Sequence, residues 1–319
     1  MNIQNRLNEA VLQAVAWLKR DIFKPMLTST AAWCFAAIWT TGIIYLAAID
    51  RTDITLPSVC LLATIMFFCA ITVAITKNED KPKVQLSRTR LSLLILQIAA
   101  IALFICMTFY TSLMFHSIVD RHPIPVWPDI IRAFSRLGEQ VFTNDIVANP
   151  TLAIANPAQY FLIPLLLLLL LGAHFRELGF CRGHRTLSVV ALWCFVPACV
   201  FVYLLAFSRL SFRVLIRRWL SHLLINGFGE EFLFRGALQT RLRMLLSPSW
   251  AIVLQAIAFG IWHFAVHYKS MSINGITAVI MFSFVRTATF GLAYGIIFQR
   301  TRNLLACTVF HVVFNSLGA

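Results

Sequence analysis

Two adjacent acidic residues, Glu230 and Glu231, occupy the middle of a long apolar run. The chain has 27 Lys+Arg but only 13 Asp+Glu, and the other acids lie outside the apolar runs or at their ends. A carboxylate in the hydrocarbon core of a bilayer is costly unless it is paired or protonated, so this pair is a candidate functional site. Arg235 follows Glu231 by four residues and shares its helical face, whereas Glu230 points about 100° away. The simpler interpretation is an ion pair that only specifies helix packing.

Other polar residues are expected at a similar depth on two further helices. His263 follows Phe259 by four residues in the next apolar run, and His311 precedes Asn315 by four residues in the last run. At about 1.5 Å per residue, Glu230 and His263 lie about 20 Å from the cytoplasmic ends of their helices, and His311 about 14 Å. A single buried histidine is usually a core residue. Two histidines, an asparagine and a glutamate pair at one level instead indicate a shared site.

These residue types suit two kinds of hydrolytic site. Imidazole and carboxylate are zinc ligands, so Glu230, His263 and His311 could hold a divalent metal such as zinc. Alternatively, Glu230 with His263 could position and deprotonate a water molecule, while His311 and Asn315 donate hydrogen bonds to the developing oxyanion. The neighbouring acid–arginine pair would then orient the base. The sequence contains neither the H-E-x-x-H zinc motif nor the G-x-S-x-G nucleophile motif.

Three motifs resemble those of the CAAX-protease and bacteriocin-processing (CPBP) family of intramembrane proteases. Residues 230–236, Glu-Glu-Phe-Leu-Phe-Arg-Gly, are similar to its E-E-x-x-x-R motif, residues 259–263 to F-x-x-x-H, and residues 311–315 to H-x-x-x-N. Each motif alone is weak, but together they stand in family order on three apolar runs. They cover roughly 215–319, a third of the chain, whereas residues 1–175 carry no comparable motif.

The resemblance implies a type II CAAX prenyl endopeptidase-like enzyme, in a family that also includes bacterial relatives tied to peptide maturation, bacteriocin immunity and protein sorting. By that likeness, Glu230 and His263 would activate water, and His311 and Asn315 would form the oxyanion hole. The family has been described both as metalloproteases and as glutamate-dependent enzymes. We favour the glutamate type, with no cofactor, because asparagine is an unusual zinc ligand and a good oxyanion donor.

Two more residues are candidates for substrate binding or support of the site. Phe259 opens the second motif, one helical turn before its histidine. Arg286 lies in the middle of an apolar run, where a charged side chain needs a partner. We expect it to face the cavity that holds the glutamates, or to extend to a lipid phosphate.

The elements that position these residues must be membrane helices. Hydrophobic residues make up 59% of the chain and charged residues 13%, roughly half their share in a soluble domain. The mean hydropathy is +0.78. These values exclude a soluble globular enzyme, a disordered chain and a disulfide scaffold. We expect an all-α polytopic membrane bundle of eight to nine transmembrane helices, near 29–49, 54–76, 91–118, 158–174, 186–207, 215–240, 250–267, 276–298 and 303–319.

The chain divides into three regions. Residues 1–28 are expected to form an amphipathic helix in the membrane interface, and 29–175 a membrane region without a recognised motif. Residues 176–319 are expected to be the protease core. Basic residues in loop 77–90 place the N-terminus on the cytoplasmic side. The long loop 119–157 carries apolar residues at helical spacing, which predicts an interfacial helix.

The net charge of +14 is interpreted as a sign of membrane topology and attraction to anionic lipid. Nucleic acid is not expected as a partner, since no RNA-binding signature or zinc-finger spacing occurs. The expected partners are the bilayer and a membrane-embedded or lipid-anchored protein or peptide substrate. Short loops and the absence of a soluble domain favour a bacterial cytoplasmic membrane.

Two other functions are compatible with the composition. One is a proteolytically inactive relative that serves as a scaffold or bacteriocin-immunity protein. The complete motif set argues against it, because an inactive relative should tolerate motif losses. The other is an ion-coupled transporter, which no inverted repeat or interrupted helix pair supports.

Overall fold

The computed structural model describes residues 24–76, 88–120, 124–207 and 209–318, together with a few isolated positions between 9 and 20. Throughout these residues the chain is helical, and the one strand-like contact is an isolated bridge between Phe180 and Asn303. The predicted all-α fold is confirmed. The amphipathic helix predicted for 1–28 and most of loop 77–90 lie outside the described residues.

The helices follow one another with short connections. In chain order they are α1 (Thr30–Ala48), α2 (Thr52–Thr76), α3 (Arg88–Phe115), α4 (Trp127–Val141), α5 (Pro150–Leu170), α6 (Thr186–Ala206), α7 (212–245), α8 (Pro248–Trp262), α9 (Phe264–Met271), α10 (Ile276–Thr301) and α11 (Leu304–Asn315). Short single-turn segments precede α1, α6 and α10.

Six of these helices, within the described ranges, are long and apolar enough to cross a membrane: α1, α2, α3, α5, α6 and α10. The pair α8 and α9, bent by 50° at a short break, would make a seventh. The polytopic membrane bundle is therefore confirmed, and its eight to nine spans stay a prediction. The two remaining predicted spans are helices too, but α7 carries many charged residues and α11 has only 12 residues.

The interfacial helix predicted within loop 119–157 corresponds to α4. Pro128 stands in its first turn, where a missing backbone N–H costs nothing. Ile130, Leu137 and Val141 on this helix remain exposed, as an apolar face that contacts lipid requires. Gly138 allows close contact with α5, because a Cβ there would stand 2.2 Å from the carbonyl oxygen of Pro150.

The core that surrounds the motif residues is formed by α7, α8, α10 and α11. Their large side chains are almost completely buried and pack in one cluster that includes Phe232, Phe234, Phe259, Tyr294 and Phe310. The backbones of α8 and α10 meet closely at Gly291, where a Cβ would stand 2.9 Å from the Cα of Ala256. This close approach holds two helices of the site in a fixed relation.

Side-chain amides reinforce the same packing. Gln239 on α7 donates to the carbonyl oxygen of Gly295 at 2.9 Å, and Gln255 on α8 donates to that of Gly291 at 2.7 Å. Both carbonyls belong to α10, so α7 and α8 are each tied to this helix. In a bilayer the hydrophobic effect does not drive helices together, because lipid tails are as apolar as the helix surfaces. Hydrogen bonds between helices therefore help to fix their relative positions.

Candidate functional site

The glutamate pair lies between two π-helical segments of α7. A short α-helical turn, Phe228–Glu231, is preceded by Leu223–Gly227 and followed by Phe232–Gln239, both of which have π-type hydrogen bonding. π turns inside α-helices are frequent at functional sites, because the additional residue redirects the side chains around it. Glu230 is 5% exposed and Glu231 is fully buried. Both acids of the first motif thus point into the protein.

Glu231 and Arg235 form the ion pair that their spacing predicts. Nη1 of Arg235 is 3.2 Å from Oε1 of Glu231, and neither side chain is exposed. The guanidinium also donates to the carbonyl oxygen of Gly291, and it lies over the rings of Phe259 and Tyr294 at 4.4 and 5.0 Å. Cation–π contacts and the acid together compensate for the burial of this charge.

His311 joins the same acid from the last helix. Its Nδ1 lies 2.8 Å from Oε1 of Glu231, so one carboxylate oxygen is shared by Arg235 and His311. The imidazole stacks on Tyr294 with ring centroids 4.8 Å apart and an interplanar angle of 16°. These contacts fix the ring so that Nε2 faces Oε2 of Glu230 at 4.0 Å.

His263 approaches Glu230 from α8, at the break between α8 and α9. Its Nδ1 lies 2.8 Å from the carbonyl oxygen of Phe259. A carbonyl oxygen only accepts hydrogen bonds, so Nδ1 carries the proton and Nε2 of the neutral ring is left as an acceptor. This Nε2 is 3.5 Å from Oε2 of Glu230, and the side chain of His263 is 16% exposed.

Oε2 of Glu230 is therefore the point where the motifs meet. It is buried, and no donor among the described residues satisfies it. Three helices contribute to its surroundings, since it faces Nε2 of His263 and Nε2 of His311. A carboxylate oxygen between two imidazoles can hold and deprotonate a small polar reactant.

Asn315 and Arg286 lie beside this cluster rather than inside it. Together with His222 they line a cavity of about 420 Å³. No hydrogen bond or ion pair within the described chain joins Asn315 or Arg286 to the glutamates. His222 connects the two places electrostatically, because it interacts with both Glu230 and His311.

Several residues near the glutamates carry no motif signal. Tyr294 stacks on His311 and contacts Arg235. Tyr160, on α5, interacts electrostatically with Glu230 and packs edge-on against Trp262 at 5.1 Å. In the sequence, each of these two residues is only a tyrosine within an apolar run. Tyrosines in such runs are common, so this feature does not indicate a functional site.

The fit of a metal ion can be assessed from the donor atoms. In the described part of the chain, no group of three or more His, Cys, Asp or Glu side chains has the arrangement of a metal site. Glu230, His263 and His311 remain the residues that would hold a divalent ion, since their free donor atoms face one another. Zinc ligands lie about 2.0–2.2 Å from the ion, so the 4.0 Å between Glu230 and His311 would have to shorten for a tetrahedral site.

Comparison with known proteins supports the motif reading. The family model described as Type II CAAX prenyl endopeptidase Rce1-like matches residues 212–317, a third of the chain. The matched segment starts with α7 and ends after α11, so it contains all three motifs and the cluster around Glu230. No curated protein and no solved structure matches. Residues 212–317 are thus similar to the CAAX protease (CPBP) family of intramembrane proteases.

Proposed function

We propose that the protein is a glutamate-type intramembrane endopeptidase that cleaves a peptide bond of a membrane-embedded or lipid-anchored protein or peptide. The observation that carries this proposal is the position of Oε2 of Glu230, buried and facing Nε2 of both His263 and His311. The match of residues 212–317 to the protease family supports hydrolysis as the reaction. The roles of individual residues are inferred from their contacts and from the motif resemblance.

In the first step, Glu230 and His263 bind a water molecule. Nε2 of His263 is an acceptor and Oε2 of Glu230 has no other partner, so both can accept the hydrogens of one water. The water oxygen attacks the carbonyl carbon of the scissile bond while its proton passes to Glu230. General base catalysis of this kind contributes about 10²–10⁴-fold.

In the second step, the carbonyl oxygen becomes an oxyanion that His311 stabilises. The likeness to the H-x-x-x-N motif makes Asn315, which lies in the adjoining cavity, the second proposed donor. Nδ1 of His311 is bonded to Glu231, so a donor at Nε2 requires the imidazolium form. With Arg235 and His311 positive and both glutamates negative, the four charges of the cluster sum to zero. Preorganised donors to an oxyanion are worth about 10²–10³-fold each.

In the last step, the tetrahedral intermediate collapses. The carbon–nitrogen bond breaks, and the leaving nitrogen takes the proton that Glu230 received from water. The products are a new carboxylic acid, which then gives its proton to the new amine, and Glu230 returns to its ionised state. No residue other than Glu230 has to change its charge during the cycle.

Arg235 and Glu231 are positioning residues in this scheme. The pair fixes His311 through Oε1 of Glu231, and Tyr294 supports the ring from its face. Phe259 contributes twice, because its ring contacts Arg235 and its carbonyl oxygen sets the tautomer of His263. The scheme uses no cofactor; if a divalent metal is required, Glu230, His263 and His311 are its ligands.

The site suits substrates that reach it from the bilayer. The glutamates lie on a helix whose neighbours are apolar, and several of the spanning helices expose large hydrophobic side chains. We propose a bacterial cytoplasmic membrane as the location, with the N-terminus on the cytoplasmic side. Peptide substrates anchored by a lipid or an apolar segment would partition into that membrane.

The experiment that tests the proposal compares new protein N-termini in membranes that contain the wild type, Glu230→Gln or Glu139→Gln. Glu139 is an exposed acid on α4 and serves as the matched control. N-termini that depend on the enzyme should appear with the wild type and with the control and disappear with Glu230→Gln. Identical sets for all three proteins would contradict the proposal.

A chelator distinguishes the two chemistries at the same site. Cleavage that persists in a strong chelator agrees with the glutamate mechanism. Cleavage that is lost and then restored by added zinc would assign Glu230, His263 and His311 to a metal instead.

A further inference from the structure

Arg286 is a cation at membrane depth without an anionic partner among the residues that the structure describes. It is the eleventh residue of α10, about 15 Å along the helix axis from the first. Its side chain is exposed, and no carboxylate within the described ranges lies within ion-pair distance of it. Its contacts are the ring of Phe282 at 5.9 Å and an electrostatic interaction with His267. By contrast, the buried Arg235 of α7 has Glu231 beside it.

The cavity at Arg286 has the composition of an anion subsite. Its polar lining is Arg286, His222 and Asn315, with Phe314 and Leu317 as apolar walls. No acid lines it. A cation at this depth is retained at a cost of a few kcal/mol, which a bound anion would offset.

The cavity also adjoins the catalytic cluster. Asn315 forms part of its wall and is the proposed oxyanion donor. His222 lies on α7, the helix that carries both glutamates, about two turns before Glu230. A group bound at Arg286 would therefore belong to the same substrate, a short stretch of chain from the scissile bond.

We infer that Arg286, with His222 and Asn315, binds a carboxylate of the substrate close to the scissile bond. The planar guanidinium matches a carboxylate through two parallel hydrogen bonds, and the asparagine amide is a further donor. The carboxylate is either the free C-terminus of the peptide or the side chain of an aspartate or glutamate. This inference rests on the proposed function and adds a substrate class to it.

The test uses three matched sets of synthetic peptides, each with an apolar anchor followed by six randomised residues. The first set ends in a free carboxylate and contains no acidic side chain. The second ends in a carboxamide and has no acid at all. The third ends in a carboxamide and has one aspartate or glutamate. Each set is mixed with the full-length protein in proteoliposomes.

The wild type should cleave the first or the third set at least about tenfold faster than the second, because a hydrogen-bonded charge contributes that much to recognition. The set that is preferred identifies the source of the carboxylate. In Arg286→Gln the preference should vanish, so that the charged set is cleaved no faster than the uncharged second set in the same variant. Arg286→Lys should retain part of the preference, since it keeps the charge but not the planar fork.

Failures of the two proposals have different signatures. Glu230-dependent cleavage that is equal for all sets, or equal in wild type and Arg286→Gln, overturns the carboxylate subsite and leaves the protease intact. Peptide binding is measured separately with Glu230→Gln. A carboxylate preference in binding without any Glu230-dependent cleavage would sustain the subsite and contradict the protease. The absence of both contradicts both.

Discussion

Glu231 and His311, 80 residues apart in the chain, are joined by a hydrogen bond of 2.8 Å between Oε1 and Nδ1. The bond links α7 to α11 and is itself buried, since Glu231 is not exposed and His311 only 4%. It sets which nitrogen of His311 faces Glu230. The proposed stabilisation of the oxyanion depends on this contact, because it orients His311.

Replacing Glu231 by glutamine should therefore reduce turnover. Glutamine preserves the shape but removes the negative charge that holds both Arg235 and His311 through Oε1 of Glu231. We expect kcat to fall at least about a hundredfold, the effect of losing an oxyanion donor, with a smaller change in KM. The measurement is cleavage of a peptide set by purified protein in proteoliposomes. A change confined to KM would show that Glu231 acts on binding and not on the oxyanion.

The buried ion pair should control stability as well. Arg235→Ala leaves Glu231 as an uncompensated buried charge, which costs about 3–5 kcal/mol. The control is Arg213→Ala, because Arg213 contacts Asp145 at 3.6 Å with both side chains about four-fifths exposed. An exposed pair of this kind contributes about 0–1 kcal/mol. Thermal unfolding in detergent should show a large decrease for the first variant and almost none for the second. Equal decreases in the two variants would contradict the stabilising role of the buried pair.

Some residues of this site could be predicted from the sequence, and others could not. The pairing of Glu231 with Arg235 follows directly from a spacing of four residues on one helix. The convergence of His263 and His311 was predictable from depth, because each lies a similar distance from the end of its apolar run. Tyr294 was not predictable, since its role comes from packing between α10 and α11.

Other features could not be read from the sequence for physical reasons. The π-helical segments on either side of Glu230 depend on tertiary contacts, and no residue type specifies them. Asn315 shares a helix with His311 but lies in the adjoining cavity, where it meets Arg286 and His222. The sequence predicts that Arg286 faces the cavity that holds the glutamates or extends to a lipid phosphate. It lines the adjoining cavity, whose lining includes neither glutamate, and no direct contact to an acid is present within the described chain.

The two histidines of the α8–α9 region should differ in importance. His263 faces Glu230, whereas Nε2 of His267 lies 2.7 Å from Oγ1 of Thr287 on α10. We expect His263→Asn to reduce cleavage by about 10²–10⁴-fold, as for loss of a general base partner. His267→Asn should change the rate by much less and act through packing. The measurement is the cleavage rate of each variant relative to the wild type under identical conditions. Equal losses in the two variants would contradict the proposal that His263 positions the attacking water.

Close packing between α8 and α10 should set how precisely the motif residues meet. A Cβ added at Gly291 would stand 2.9 Å from the Cα of Ala256 and 3.2 Å from its carbonyl oxygen. These are backbone atoms that cannot move aside, so the two helices must separate. We expect Gly291→Ala to destabilise the protein by about 1–3 kcal/mol.

The same separation should lower activity, because the carbonyl oxygen of Gly291 accepts from both Arg235 and Gln255. The matched control is Gly318→Ala, where the nearest atom to the added Cβ is 4.0 Å away. Thermal unfolding and cleavage rate are measured for both variants. If Gly291→Ala retained full stability and full activity, the contact of α8 with α10 could not be what holds His263 against Glu230, and the packing basis of the site would have to be sought in α11.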